Sequence, residues 1–519
     1  MSSVKDKLSK YLLSDISLFV IMIVILSFIY GYQRTTFIPP QGLHQYRQCV
    51  SAAFAMNYYN YDLDITQTRL YNHLAEKGGS DVVLAECPVL YYFVGILYTI
   101  FGNHDSIFRI VNALLLFIGL FYLFKSLRIL LQDKFWALFV TAIIFTSPTL
   151  IYYGNNFLPD TSAFGLVFIA LYHLVRYSRE QKNKYLYFAA IIFALAGLLK
   201  ITALVSLMAV MSTFVFFWLF DSNIRSTYKF RVFVFPMLIP FIVVGAWYLF
   251  VSYYHANYGA SVSPVDIRPF WRLDQEAITA TLDRIQNEWL HSYFNIYLLI
   301  FIGCVLLSNI IFFRRSNKFL AILTYISIVG AAGFFLLFFS SFRLHDYYMI
   351  NLFIIIIFIL ITGLMLLKQY AHRVYKNYLV KIVFTAALVF LALSAVKEVD
   401  FKYNSYHNNR FRHKFYGLVG IEEVNRNLGI QPRDLVISIP DKSINISLYL
   451  MNQPGFTDFG FNAKKGAGRM EFFISKGAKY LIVSDSTIYE DTSYQYLRPY
   501  LAKRIGEFKN IDIYDIRID

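Results

Sequence analysis

The stretch Glu86-Cys-Pro-Val-Leu-Tyr-Tyr-Phe-Val-Gly-Ile-Leu-Tyr-Thr-Ile-Phe101 decides how this chain is threaded. Val89 to Phe101 is apolar but only about two-thirds of a membrane span, short of the roughly 17-residue minimum. If it crossed, every later cluster of basic residues would change sides. It is therefore read as a re-entrant or interfacial helix, with Gly102 to Asp105 still outside. Around it, from Asp15 to roughly Glu398, longer apolar stretches follow one another with short polar gaps. Of the 519 residues 57% are hydrophobic and 16% charged, whereas a soluble domain carries about 25% charged residues. The excess apolar surface has to face lipid.

The formal net charge is +15, which could suggest a nucleic-acid partner. No basic run is interleaved with stacking aromatics, so that class is set aside. Lys and Arg instead gather at the gaps between apolar stretches, the pattern of cytoplasmic loops. After Lys5, Lys7 and Lys10 the clusters are Lys125/Arg128/Lys134, Arg176/Arg179/Lys182/Lys184, Arg225/Lys229/Arg231, Arg314/Arg315/Lys318 and Lys368/Arg373/Lys376/Lys381. The alternate gaps are poor in basic residues or balanced by acids. This gives about eleven spans by the span-length rule, near residues 14–32, 107–127, 134–153, 160–177, 184–199, 201–221, 231–253, 293–313, 318–340, 347–367 and 379–396. The stretch Ile16 to Tyr32 is too long for a signal peptide and lacks a small-residue cleavage site, so it reads as the first span.

The expected organisation is a polytopic α-helical membrane domain over residues 1–399, with a long first outer loop at 33–106, followed by a soluble domain at 400–519. An odd span count puts that tail outside, with the first loop. Asp434-Leu-Val-Ile-Ser-Ile and Lys479-Tyr-Leu-Ile-Val-Ser have buried-strand length, and Ile511 to Ile518 nearly alternates. Tyr416 to Leu428 suits a helix, and Ser493 to Lys503 does so weakly because Pro499 interrupts it. A small α/β domain is the expected fold.

The outer gaps hold the unusual polar residues: His44-Gln-Tyr-Arg-Gln48, Ala85-Glu-Cys-Pro88, Tyr153-Gly-Asn-Asn-Phe-Leu-Pro-Asp160, Leu199-Lys-Ile-Thr202 and Ser341-Phe-Arg-Leu-His-Asp-Tyr-Tyr348. Each has an ordinary reading beside the functional one. Asp160 after Pro159 also suits the first turn of a helix, as does Glu86 before Pro88. His345 and Asp346 also suit the cap of a span, and His44 an ordinary loop histidine. Lys200 lies between apolar runs, where a charge is costly and marks a functional partner.

Taken in order, a long outer loop, Glu-x-Pro opening an apolar helix, a short loop ending in Pro-Asp, and Lys after Gly-Leu-Leu make the chain resemble the C-type glycosyltransferases. Within them it looks most like the protein-O-mannosyltransferase and aminoarabinose-transferase branch, over roughly residues 14–370. The resemblance implies an inverting transfer of sugar from a polyprenyl-phosphate carrier to an acceptor hydroxyl on a glycan, lipid or protein. It implies action on the extracytoplasmic face of a bacterial inner (plasma) membrane. By the same resemblance Arg47 matches an arginine of the first loop, Glu86 and Pro88 the Glu-x-Pro, Asp160 the second-loop aspartate, and Lys200 and Tyr347 positions near the carrier phosphate. The chain departs from the pattern at His44-Gln45, where an Asp-Glu pair is usual, and at Cys87, where a relative has lysine.

The chemistry supports the same grouping. A departing phosphate monoester has a second pKa of about 6, so it needs cations more than a proton. Arg47, Lys200 and Arg343 supply them, with Gln48, His345 and Tyr347 as further contacts. The acceptor hydroxyl needs a base, for which Asp160, Glu86 and His44 are the candidates. Asp160 is expected at the acceptor side, apart from the cations, because a carboxylate repels phosphate. His44, Glu86, Asp160 and His345 would also form a mixed set for a possible divalent metal, although no His-x-x-x-His or Cys-x-x-Cys spacing occurs. Cys49 and Cys87 either bridge or stay as free thiols. The competing reading is a polytopic transporter or flippase of lipid-linked sugars, which would place its charges near mid-membrane and often repeat in halves. No such repeat is seen.

Overall fold

The computed structural model describes residues 14–75, 80–258, 267–404, 415, 417–459 and 466–517. By packing, the chain forms two compact units, one of residues 1–36, 109–247 and 265–401, the other of residues 37–108, 248–264 and 402–519.

The first unit is a bundle of apolar helices. Among the described residues six helices are long and apolar enough to cross a bilayer: Asp105–Leu131, Ile201–Phe220, Phe230–Asn257, Lys318–Leu337, Asp346–Tyr370 and Tyr378–Asn404. Two further pairs reach that length only together, Lys134–Ile144 with Pro148–Gly154, bent by 78°, and Gln275–Tyr293 with Ile296–Ile311, bent by 89°. Length and composition thus give six to eight crossing helices rather than about eleven. The shortfall has physical causes. Asp15–Ile29 and Lys184–Leu199 have 15 and 16 residues, and Asp160–Glu180 carries Asp160, His173, Arg176, Arg179 and Glu180 within its 21. The first bend falls where Ser147 caps a new helix and Pro148 occupies its first turn, a position where proline's missing N–H is harmless.

Close helix crossings need small residues. Asp105–Leu131 meets Asp160–Glu180 at Gly119 and Gly165, where a Cβ on Gly119 would sit 2.3 Å from the Gly165 Cα. Arg109 and Asn112, both fully buried, then hold the loop that leads into Asp160. The Asn112 amide donates to the carbonyls of Tyr153 (2.9 Å), Asn156 (3.1 Å) and Leu158 (3.0 Å). Arg109 donates to the Asn155 carbonyl and lies over the Phe157 ring. Backbone groups that the short loop leaves without helical partners are satisfied in this way.

The second unit contains a five-stranded sheet, β1 (Leu435–Ile439), β2 (Gly455–Thr457), β3 (Ala478–Val483), β4 (Arg504–Phe508) and β5 (Ile511–Asp515), in the order β2-β1-β3-β5-β4. β1 runs parallel to β2 and β3, while β5 is antiparallel to β3 and β4. The small α/β tail expected from the sequence is present, and β1, β3 and β5 coincide with the three apolar runs. The expected helices are shorter, Ile421–Asn427 and a 3-10 stretch at Thr492–Tyr500. In the same unit the first loop supplies the sheet's edge. Asn72 bridges Gly455 in parallel, Gly455 N–H donates to the Tyr71 carbonyl, and the Asn72 amide donates to Ile444 O and Thr457 Oγ1. Pairing covers an edge strand that would otherwise invite aggregation. Leu74 joins Ile437, Phe456, Phe473 and Leu481 in the core. The first loop, read with the spans in the sequence, therefore packs into one compact body with the tail.

Candidate active site

In the helical unit, four residues singled out from sequence come together at the start of helices. Lys200 leaves helix Lys184–Leu199 in extended backbone, φ −156° and ψ 115°. Its Nζ stands 3.2 Å from Asp160 Oδ1 in the first turn of the next-packed helix, with side-chain exposures of 13% and 1%. The ammonium also faces the rings of Tyr347 (5.3 Å) and Tyr348 (5.1 Å), an arrangement that stabilises a cation away from water. Tyr347 Oη is 2.9 Å from His345 Nδ1, and His345 stacks on Tyr348. Tyr153 packs edge-on to Tyr347 and donates from Oη to Asp346 Oδ1 at 2.6 Å. Asp346 is fully buried.

This corrects the expected division of labour. Asp160 and Lys200 do not occupy opposite ends of a pocket but form one ion pair, its carboxylate buried and its ammonium largely so. Breaking such a pair leaves an uncompensated charge, at a cost of about 3–5 kcal/mol, so the two act together. Arg343 ends a 3-10 turn at Phe339–Arg343 and is exposed.

In the second unit a separate group forms around helix Gln45–Asn60, which packs along Val89–Phe101. Gly95 permits the contact, since a Cβ there would lie 2.6 Å from the Tyr58 Cβ. Val89–Phe101 is thus a 13-residue helix, as the sequence suggests. Arg47 pairs with Glu86, and Tyr91 donates its hydroxyl to the same carboxylate. His44 sits at the N-cap of Gln45–Asn60 in left-handed backbone, φ 55°. Gln48 is fully buried, donating to the carbonyls of Gln41 (2.7 Å) and Leu43 (2.8 Å) and accepting from Gln41 N–H. It shapes the loop, a structural duty the sequence did not reveal. Cys49 and Cys87 are buried free thiols, so of the two alternatives the unbridged one holds. Among the described residues no three His, Cys, Asp or Glu side chains group closely enough to hold a metal ion.

Sequence reading missed Arg109 and Asn112 as supports, and it did not foresee that Tyr153 and Asp346, both within the quoted stretches, hydrogen-bond to each other. Arg109 and Asn112 did carry a signal, because polar side chains inside an apolar run are costly unless they have work to do.

Comparison with known proteins bears on the fold. The family model of dolichyl-phosphate-mannose-protein mannosyltransferases matches residues 85–247, which include Glu86, Asp160 and Lys200. The oligosaccharyltransferase of Archaeoglobus fulgidus is similar in structure, with a TM-score of 0.52 at 15% identity, over 90% of this chain and 69% of its own. In fold the chain is similar to the C-type glycosyltransferases, the class to which these comparisons point. ArnT from Cupriavidus metallidurans is similar over nearly its whole length. Its apo structure gives a TM-score of 0.60 at 12% identity over 97% of this chain and 98% of its own, and its undecaprenyl-phosphate-bound structure gives 0.61 at 11% over 96% and 98%. No curated protein sequence matches the chain.

Proposed function

We propose that the protein transfers a sugar from a polyprenyl-phosphate carrier to an acceptor hydroxyl, with inversion, at the extracytoplasmic face of a bacterial inner membrane. The observation that carries this reading is the buried Lys200–Asp160 pair beneath Tyr347 and Tyr348, in a fold shared with a protein solved with undecaprenyl phosphate. A cation held at a helix end, out of water but beside aromatic faces, suits a phosphate that gains charge as it leaves. Asp160 fixes the ammonium's position, so that little reorganisation accompanies the reaction. The acceptor's O–H bond breaks as its oxygen attacks the anomeric carbon. The bond from that carbon to the phosphate oxygen breaks on the far side, and the polyprenyl phosphate departs with its electron pair. The proton passes to a base, for which Asp160 and Glu86 are the first candidates. His44 is a further candidate. Carrier contacts from Arg47, Arg343, His345 and Tyr347 belong to the same reading, as does an acceptor on a glycan, lipid or protein.

The pairing makes a distinctive expectation. Lys200→Met and Asp160→Asn should both weaken binding of undecaprenyl phosphate to the purified, detergent-solubilised protein. The loss should be roughly 10- to 100-fold, the range of a lost charge-assisted hydrogen bond. Glu86→Gln should leave that binding nearly intact while lowering transfer about a hundredfold. Wild-type carrier affinity in both Lys200→Met and Asp160→Asn would refute the assignment of this pair to the carrier.

A further inference from the structure

The helical unit contains a cavity of about 480 Å³, within the size range of ligand sites, that plays no part in the reaction just described. Its walls come from the far halves of the helices that start or support the Lys200 cluster. Leu127, Leu171, Phe214, Leu323 and Phe358 are representative of a lining that is overwhelmingly apolar. Helix Asp160–Glu180 shows how separate the two places are. Asp160 opens it, Arg179 lies at the cavity, and the rise between them is about 28 Å. The cavity therefore belongs to the opposite end of the bundle.

The mouth is different in character. Arg179, Ser178, Tyr228 and Asn317 line it, and Arg179 is exposed. Arg225 and Lys318 adjoin lining residues in sequence; Arg225 donates to the carbonyls of Trp218 and Leu219 and Lys318 to that of Phe313, so Arg179 is the basic residue of the lining itself, with two more in the neighbouring segments. Of the acids nearby in sequence, Glu180 is already engaged by Arg176 and Lys182, and Asp221 caps the helix Ser222–Thr227. An apolar slot inside a membrane-spanning bundle, opening beneath a basic rim, matches a molecule with a hydrocarbon tail and an anionic head.

We propose that this cavity is a binding site for an anionic phospholipid, with one acyl chain between the helices and the phosphate at Arg179 and its basic neighbours. This is a second lipid site, independent of the carrier site and of the reading of the reaction. Its place beside Tyr177 and Phe214, where helices Asp160–Glu180, Leu204–Phe220 and Phe230–Tyr258 meet through contacts of both rings with Phe233, makes the lipid a stabiliser of that junction.

Native mass spectrometry of the delipidated full-length protein tests this, with phosphatidylglycerol or phosphatidylcholine of identical chains added. The expected result is retention of one phosphatidylglycerol in preference to phosphatidylcholine. Arg179→Gln should reduce that preference roughly fivefold, the effect of one basic residue at an anionic lipid surface. Leu323→Trp, which fills the slot, should abolish retention of both lipids. Arg225→Gln, remote from the packed interior, serves if the tryptophan variant does not fold, and should weaken the preference as Arg179→Gln does. Equal retention of the two lipids by the wild type, or an unchanged preference in both arginine variants, would overturn the proposal. Displacement of phosphatidylglycerol by undecaprenyl phosphate at equal concentration would overturn it too, by assigning the slot to the carrier.

Discussion

Asp458 shows how a single side chain in the tail responds to its surroundings. Burial pushes its carboxyl up to about 6, Arg469 at 3.3 Å pulls it down, and the neighbouring Asp441 pushes it up again. A carboxylate whose folded value exceeds the ordinary 3.8 binds its proton more tightly when folded. Its contribution to stability is therefore greatest below pH 3.8, falls as pH rises through this window, and levels off above about 6. Asp458→Asn, neutral at every pH, should gain stability relative to the wild type across that window and then hold a constant difference. Thermal unfolding of the two whole proteins in detergent between pH 4 and 8 measures it, and a difference that narrows with rising pH would contradict the burial argument. At this same scale the sequence was informative about Asp160 and Lys200, because charges stand out against apolar runs. Their pairing was not legible. It depends on Lys200 ending its helix in extended backbone, a local turn that the intervening sequence does not announce.

Among the elements, the crossing of Asp105–Leu131 with Asp160–Glu180 is the contact that sets the loop carrying Asp160. A Cβ at Gly165 would come within 2.5 Å of the Leu115 carbonyl, so Gly165→Val must push the helices apart. Overpacking of this kind costs about 1–3 kcal/mol. The variant should unfold at lower temperature and lose transfer by displacing Asp160, whereas Gly245→Ala, with open space around its Cβ position, should do neither. Equal stability in the two variants would show that the crossing is not tight. The short helix Val89–Phe101 was readable from length alone, as were β1, β3 and β5 from their apolar runs. β2 has only three residues and is recruited by its neighbours. β4 is half-exposed and depends on its hairpin with β5, whose Lys509 and Asn510 both adopt positive φ. The sharp bends at Thr146-Ser147 and near Phe294 were hidden for a related reason. Hydropathy averages over a window and does not register a change of direction.

For the molecule as a whole, the packing of residues 37–108 with 402–519 constrains topology more firmly than counting spans. Asn60 donates to Asn452 and the Asn72 amide to Ile444 O, so the loop and the tail share one compact body. They must lie on the same side of the membrane whatever the number of crossings. Cysteines placed at Tyr59 and Asp485 should label alike in intact cells, and both should be accessible from outside; opposite labelling would contradict the packing itself. The central claim is that the chain moves a sugar off a polyprenyl phosphate and needs the Lys200–Asp160 pair to do so. The measurement that bears on it most directly is mass spectrometry of the lipid after incubating the purified protein with polyprenyl-phosphate sugars and a cell-envelope extract as acceptor. The account expects lipid-linked sugar to disappear as free polyprenyl phosphate appears in equal amount, with the conversion lost in Lys200→Met. Intact donor carried across a vesicle membrane without release of free carrier, or conversion unchanged in Lys200→Met, would contradict it.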